Sequence, residues 1–138
     1  MVSVVEPRTI IIFSVVFALA GCATAPSYKK NGKTGTDQSY HEEGIASWYG
    51  GKFEGRKTAN GERYSTYRYT CAHRTLPFGS KVIVTNLSNG KKVTLRVNDR
   101  GPRPKSRIID VSYIAARDLN FVKSGTTKVR VVRISDEL

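Results

Sequence analysis

Acidic side chains are scarce in this sequence: 11 Asp and Glu stand against 23 Lys and Arg, leaving a formal charge of +12 at pH 7. Histidine and cysteine are scarcer still, with two of each. Their positions follow no Cys/His ligand spacing, so a structural zinc site has no ligand set and no cofactor is implied. No apolar run is long enough to cross a bilayer as a helix; the run from Ile10 to Ala20 is too short for that.

That short run is nevertheless informative, because Arg8 precedes it and Leu19-Ala20-Gly21-Cys22 closes it. A basic residue, an apolar core and small residues before a cysteine make a bacterial lipoprotein signal. Residues 1–21 are read as that signal and Cys22 as the acylated first residue of the mature chain. Ala23 stands where an aspartate marks inner-membrane retention, so the expected destination is the outer membrane, lipid-anchored and facing the periplasm. Removing residues 1–21 takes away Arg8 and Glu6 together, so the whole excess of positive charge stays in the mature chain. An exported protein meets no nucleic acid; it meets anionic wall and lipid. The expected partner is an acidic envelope polymer such as peptidoglycan, with membrane contact through Cys22; the other reading of the charge is attraction to lipid head groups.

From residue 22 to 43 the chain is rich in Ser, Thr, Lys, Gly and Asn and reads as a flexible tether. Residues 44–135 read as one small domain, with 136–138 as a tail. Two β-rich runs, Lys81 to Leu87 and Lys91 to Asn98, flank Ser88-Asn89-Gly90, and Asn-Gly is a strong hairpin signal. Lys128 to Ile134 reads as a further strand, and Ser112 as the cap of a short helix carrying Ile114, Ala115 and Leu119. Several short strands with one helix predict a mainly β fold, a small closed barrel.

Two carboxylates sit among turn-forming and basic residues: Glu62 in Arg56-Lys57-Thr58-Ala59-Asn60-Gly61-Glu62, and Asp99 in Asn98-Asp99-Arg100-Gly101-Pro102. Period-two alternation from Val93 through Leu95 and Val97 places Asp99 on the inward face at a strand end. A carboxyl at the rim of an apolar interior loses hydration, which raises its pKa and suits a general acid. The other reading is a turn aspartate bonding its own backbone. Glu62 projects from a loop, where a solvated carboxylate is the plain alternative. Cys71 and His73 lie two apart; the thiol is read as packing and His73 as a hydrogen-bonding partner for a carboxylate or sugar. Among the aromatics, Trp48, Tyr49 and Tyr64 are the expected groove walls for sugar rings. Arg56, Arg74 and Arg100 are candidates to hold glycan carboxylates by paired donors, and Asn60 joins them beside Glu62.

Together with Gly44-Ile45-Ala46-Ser47-Trp48-Tyr49-Gly50, Cys71-Ala72-His73-Arg74-Thr75-Leu76-Pro77 and Arg107-Ile108-Ile109-Asp110-Val111-Ser112, these motifs closely resemble the rare lipoprotein A (RlpA) family, from about Gly44 to Leu119. The resemblance implies a six-stranded double-psi β-barrel with one or two short helices. It also implies endolytic lytic transglycosylation of the MurNAc–GlcNAc bond in peptide-poor peptidoglycan strands, leaving 1,6-anhydro-MurNAc ends. Asp99 is the expected acid/base, Glu62 its charge-stabilising or orienting companion, and His73 an assistant. A monomer is expected, with division or wall-remodelling proteins as further partners. The alternatives are a non-catalytic peptidoglycan-binding lipoprotein and an acid-assisted endoglucanase. Two departures bear on this: Arg103 follows Gly-Pro where the family commonly has phenylalanine, and no SPOR domain follows Ile134, so septal targeting does not follow from the resemblance.

Overall fold

The structure, a computed structural model, describes residues 36–134. The expected signal peptide, Cys22, residues 22–35 of the expected tether and the 136–138 tail lie outside them. Six strands occur in the order β1 (Thr36–Tyr49), β2 (Thr70–His73), β3 (Lys81–Asn86), β4 (Lys92–Asp99), β5 (Arg107–Ser112) and β6 (Thr126–Ile134), with a 3-10 turn at Gly51–Phe53 and one helix, α1 (Tyr113–Asp118). Hydrogen bonding runs β1-β5-β2-β4-β3-β6 and closes from β6 back to β1. The β1/β5 and β2/β4 pairs are parallel, and the other four are antiparallel.

The hairpin expected at Asn89-Gly90 joins β3 to β4. Val84 faces Val93 and Thr85 faces Lys92, while the Gly90 amide closes the turn on Asn86 O at 2.8 Å. Gly90 has φ of +76°, a conformation costly for any residue with a Cβ. Alternate residues of four strands point inward: Val82 and Val84 from β3, Leu95 and Val97 from β4, Ile109 and Val111 from β5, and Val129 and Val131 from β6 fill the barrel. Each such side chain withdrawn from water contributes about 1.5–3 kcal/mol, which is what offsets chain ordering in so small a domain.

α1 packs against β1, β4 and β5 and buries Ala115, Ala116 and, just beyond it, Leu119. A helix of six residues has little stability of its own, so tertiary contacts hold it. Ser112 occupies the expected capping position but donates no capping bond; its Oγ is buried without a partner among the described residues. The Ile114 amide instead bonds Thr66 O at 3.0 Å.

The tether expected to reach residue 43 is shorter than its composition indicates. β1 starts at Thr36 and pairs with β6, His41 opposite Val132 and Glu43 opposite Arg130, where an ion pair of 2.7 Å adds to the ladder. The partner for these polar residues lies some ninety positions downstream, so tertiary pairing overrides local composition.

Candidate active site

Asp99 does not continue the inward face of β4. Val97 pairs with Cys71, but the next residue of β2, Ala72, pairs with Asp99, which leaves Asn98 as an extra residue. This β-bulge flips the alternation. Val97 stays inside with Cys71, while Asp99 joins Ala72 on the opposite face. On the other side Ala72 pairs with Asp110 of β5, and Asp110 pairs with Ser47 of β1. The result is a lateral row, Ser47, Asp110, Ala72 and Asp99, across four adjacent strands. With strands spaced about 4.8 Å apart, the backbones of the two aspartates stand roughly 10 Å from each other, with only an alanine methyl between them.

Ala72, Asp99 and Asp110 of this row line a groove of about 680 Å³, a size suited to a few sugar rings. One wall is aromatic: Tyr49, Phe53 and Tyr64 all line it. Tyr49 packs on Tyr64 with ring centroids 4.4 Å apart, and Tyr64 donates to Tyr49 O at 2.6 Å. Burial pushes the Tyr49 hydroxyl far up, so it stays neutral and presents its ring. Five cations also line the groove: Arg56, Lys57, Arg100, Arg103 and Arg107. Among the described residues only Arg107 is paired with a lining carboxylate, its Nε 3.1 Å from Asp110 Oδ1. The groove therefore carries excess positive charge for an anionic ligand.

The two aspartates are held differently. Asp110 accepts from Ser47 Oγ and faces Arg107 with both oxygens. Asp99 accepts two backbone N–H bonds at Oδ1, from Ala59 at 2.9 Å and Arg100 at 2.8 Å. Among the described residues no donor reaches its Oδ2, which is left for a ligand.

Glu62 lies outside the groove lining. Arg96 Nη1 and Nη2 donate to its two oxygens at 2.6 and 2.8 Å, Asn98 Nδ2 adds a bond at 3.2 Å and Asn60 Nδ2 one at 3.0 Å. These donors, Arg96 first, hold its carboxyl down at about 2. A group so clamped is ionised and has no proton to give. Around it the loop is docked: Asn60 N bonds Asn98 O, Thr58 N bonds Glu62 O, and the Ala59 amide meets Asp99. Gly61 makes the turn with φ of +90°.

The remaining expected residues divide. Arg56, Tyr49, Tyr64 and Arg100 line the groove; Asn60, Arg74, Trp48 and His73 do not. Trp48 stacks edge-on to Tyr113 at 5.6 Å and packs on the core. Arg74 donates to Arg107 O. His73 is 3 % exposed and bonds Tyr40 and Glu42 of β1, a carboxylate absent from the sequence expectations. Cys71 is fully buried, its thiol pushed up by burial, which fits packing and not nucleophilic attack. Sequence reasoning missed Asp110 and Ser47 as members of the site. The signal for Asp110 was there, since an aspartate inside Ile108-Ile109-Asp110-Val111 must meet a polar partner or a cavity.

Residues 41–131 match the family described as Lytic transglycolase. A relative from Neisseria meningitidis named Endolytic peptidoglycan transglycosylase RlpA is 53% identical over 112 residues, covering 78% of this chain and 47% of that protein. A relative of the same name from Pseudomonas aeruginosa is 50% identical over 115 residues, covering 80% of this chain and 34% of its own length. The chain thus spans less than half of either. Among solved structures, an expansin from Clavibacter michiganensis matches with a TM-score of 0.56 at 20% identity over 72% of this chain and 52% of that one. A Streptomyces papain inhibitor matches at 0.56 and 20% over 70% of this chain and 96% of that one. At that identity they speak to the fold alone, and with the family match they make the closed six-stranded barrel a double-psi β-barrel.

Proposed function

Since the chain belongs to the lytic transglycolase family, we propose that it cleaves peptidoglycan glycan strands internally at the MurNAc–GlcNAc bond by lytic transglycosylation. The observation that carries this reading is the groove in which Asp99 Oδ2 meets no donor among the described residues while Asp110 stands across Ala72 from it. In its protonated form Asp99 gives the proton to the bridging oxygen as the C1–O bond breaks and GlcNAc departs with a new 4-hydroxyl. Positive charge builds on the muramic ring, and the Asp110 carboxylate, fixed by Ser47 and Arg107, stabilises it. The C6 hydroxyl of the same sugar then attacks C1 and returns its proton to the Asp99 carboxylate, leaving a 1,6-anhydro end. No water is consumed, so one carboxyl serves as acid and then base.

The excess of cations favours a polymer that carries carboxylates over a neutral β-glucan, and muramic acid freed of peptide bears a lactyl carboxylate at each residue. Peptide-poor strands are therefore the substrate of this reading. The N-terminal motif supports a membrane-anchored setting, with Cys22 acylated after signal cleavage, the domain facing the periplasm from the outer membrane, and the protein a monomer acting beside other wall enzymes. Replacing Cys22 with Ser should abolish palmitate labelling and release the protein from membranes. The activity test is incubation of the purified full chain with intact sacculi, amidase-stripped glycan and cellulose. Anhydro-ended products from the stripped glycan support the reading; binding without products marks a wall-binding lipoprotein, and glucan release an endoglucanase, either of which overturns it.

A further inference from the structure

We propose that His73 is a positioning residue that acts through Arg100: its uncharged ring shapes the 73–78 turn whose carbonyls hold the Arg100 side chain at the groove. The inference rests on the proposed reaction only for its activity readout.

The ring's hydrogen bonds define its tautomer. Nδ1 lies 3.2 Å from the Thr75 amide and 3.1 Å from the Leu76 amide. Two N–H donors aimed at one nitrogen require its lone pair, so the ring proton resides on Nε2. Nε2 meets the Tyr40 hydroxyl oxygen at 2.9 Å and Glu42 Oε2 at 3.3 Å, and the Tyr40 hydroxyl donates to Glu42 at 2.6 Å. Bonds thus run in one direction, from the turn's amides through the ring to the Glu42 carboxylate. Among the described residues the imidazole bonds no residue that lines the groove.

The turn it folds does reach the groove. Arg100 Nη1 donates to His73 O at 3.1 Å and Leu76 O at 2.9 Å, and its guanidinium lies 3.8 Å from the Phe78 ring centroid. Both carbonyls belong to the segment that His73 Nδ1 ties together, and Phe78 follows it by two residues. Arg100 lines the groove, and its amide is one of the two donors on Asp99 Oδ1. A shift in the turn therefore displaces the cation beside the proposed acid.

The same geometry makes the turn sensitive to acid. A proton on Nδ1 confronts two N–H donors, so both bonds are lost and the turn opens. The groups facing the ring are Tyr40 and Glu42 from β1, Arg74 from its own segment and Arg100 from the loop after β4. Burial and the two arginines oppose the charged ring and Glu42 favours it, with the balance below the ordinary value.

Side-chain amides separate positioning from acid/base chemistry. In H73N the amide oxygen stands near the place of Nδ1 and cannot titrate, whereas in H73Q it reaches only toward the place of Nε2. Cleavage of stripped glycan by the full chain should fall about tenfold in H73A and H73Q. H73N should restore most of that loss and lose the acid-side decline of the wild-type pH profile. H73A should add little to R100A. Independently of activity, amide hydrogen exchange at Thr75 and Leu76 should stay slow in H73N and become fast in H73A and H73Q. If H73N is as inactive as H73A while both amides remain protected, or if H73Q keeps the amides protected, the inference is overturned. If even the wild type cleaves no glycan, the exchange pattern alone decides it, and the failure then belongs to the proposed reaction.

Discussion

Glu62 and Asp99 are carboxylates on two sides of the same β4 bulge, one bonded to Asn98 and the other next to it in the chain. The Glu62 corner is closed: a bidentate guanidinium and two amides consume its oxygens. The Asp99 corner is open, with two backbone donors on one oxygen and, among the described residues, none on the second. Proximity to a site does not make a carboxylate its acid; a group that must hand a proton over and take it back needs an unengaged oxygen, and a clamped group builds the scaffold instead.

The largest expected effect comes from the open corner. D99N should reduce anhydro-end formation by about 10²–10⁴-fold, the range for losing a general acid. Its thermal stability should be nearly unchanged, because the amide oxygen still accepts from Ala59 and Arg100. Anhydro-muropeptide analysis beside a melting curve checks both, and full activity would remove Asp99 from the mechanism. E62Q should do the opposite in kind. It weakens a bidentate, partly exposed pair and costs about 1 kcal/mol of stability, while activity drops about tenfold as the loop bearing the Ala59 amide loosens. An inert E62Q with native stability would erase the contrast between the corners.

Smaller still is S47A, which removes the hydroxyl that orients Asp110 and should lower turnover about three- to tenfold with little change in KM. The last effect is on stability alone. The folded state holds Glu62 at about 2 against an ordinary 4.5, so the unfolded chain binds more protons between those values. The stabilisation is complete above about 4.5 and is lost as pH falls toward about 2. His73, shifted down from 6.5 by burial, adds a loss that begins nearer neutrality, since the unfolded chain again takes the proton first. Denaturant midpoints against pH should therefore fall on the acid side for the wild type and fall less steeply below about 4.5 in E62Q, where Asp118, held down by Tyr69 and Arg117, still loses its share.

Much of this was legible from residues alone. Asn89-Gly90 between two alternating runs announced the β3–β4 hairpin, and Val93, Leu95 and Val97 announced its buried face. The closing partners were not legible. β1 takes its residues 36–43 from a stretch that looks like linker, because β6 supplies the pairing. The site was half legible: Asp99, Tyr49, Tyr64, Arg56 and Arg100 line the groove, but the route to Asp99 was mistaken. Period-two counting cannot see a bulge, and Asn98 inserts one that moves Asp99 from the interior to the face of Ala72. Glu62 and His73 stand out in sequence among turns and short motifs, yet their partners Arg96 and Glu42 come from distant strands, and only the closed barrel brings each pair together.

The central claim is that the open carboxyl, and not the clamped one, meets the scissile bond. The measurement that tests it most directly is a crystal structure of D99N bound to a stripped glycan strand. The bridging oxygen should lie within about 3 Å of the residue 99 side chain, with the muramic ring over Ala72 and Asp110 near its C1. A bridging oxygen placed instead beside Glu62 or His73, or a strand seated outside the groove, would contradict the account.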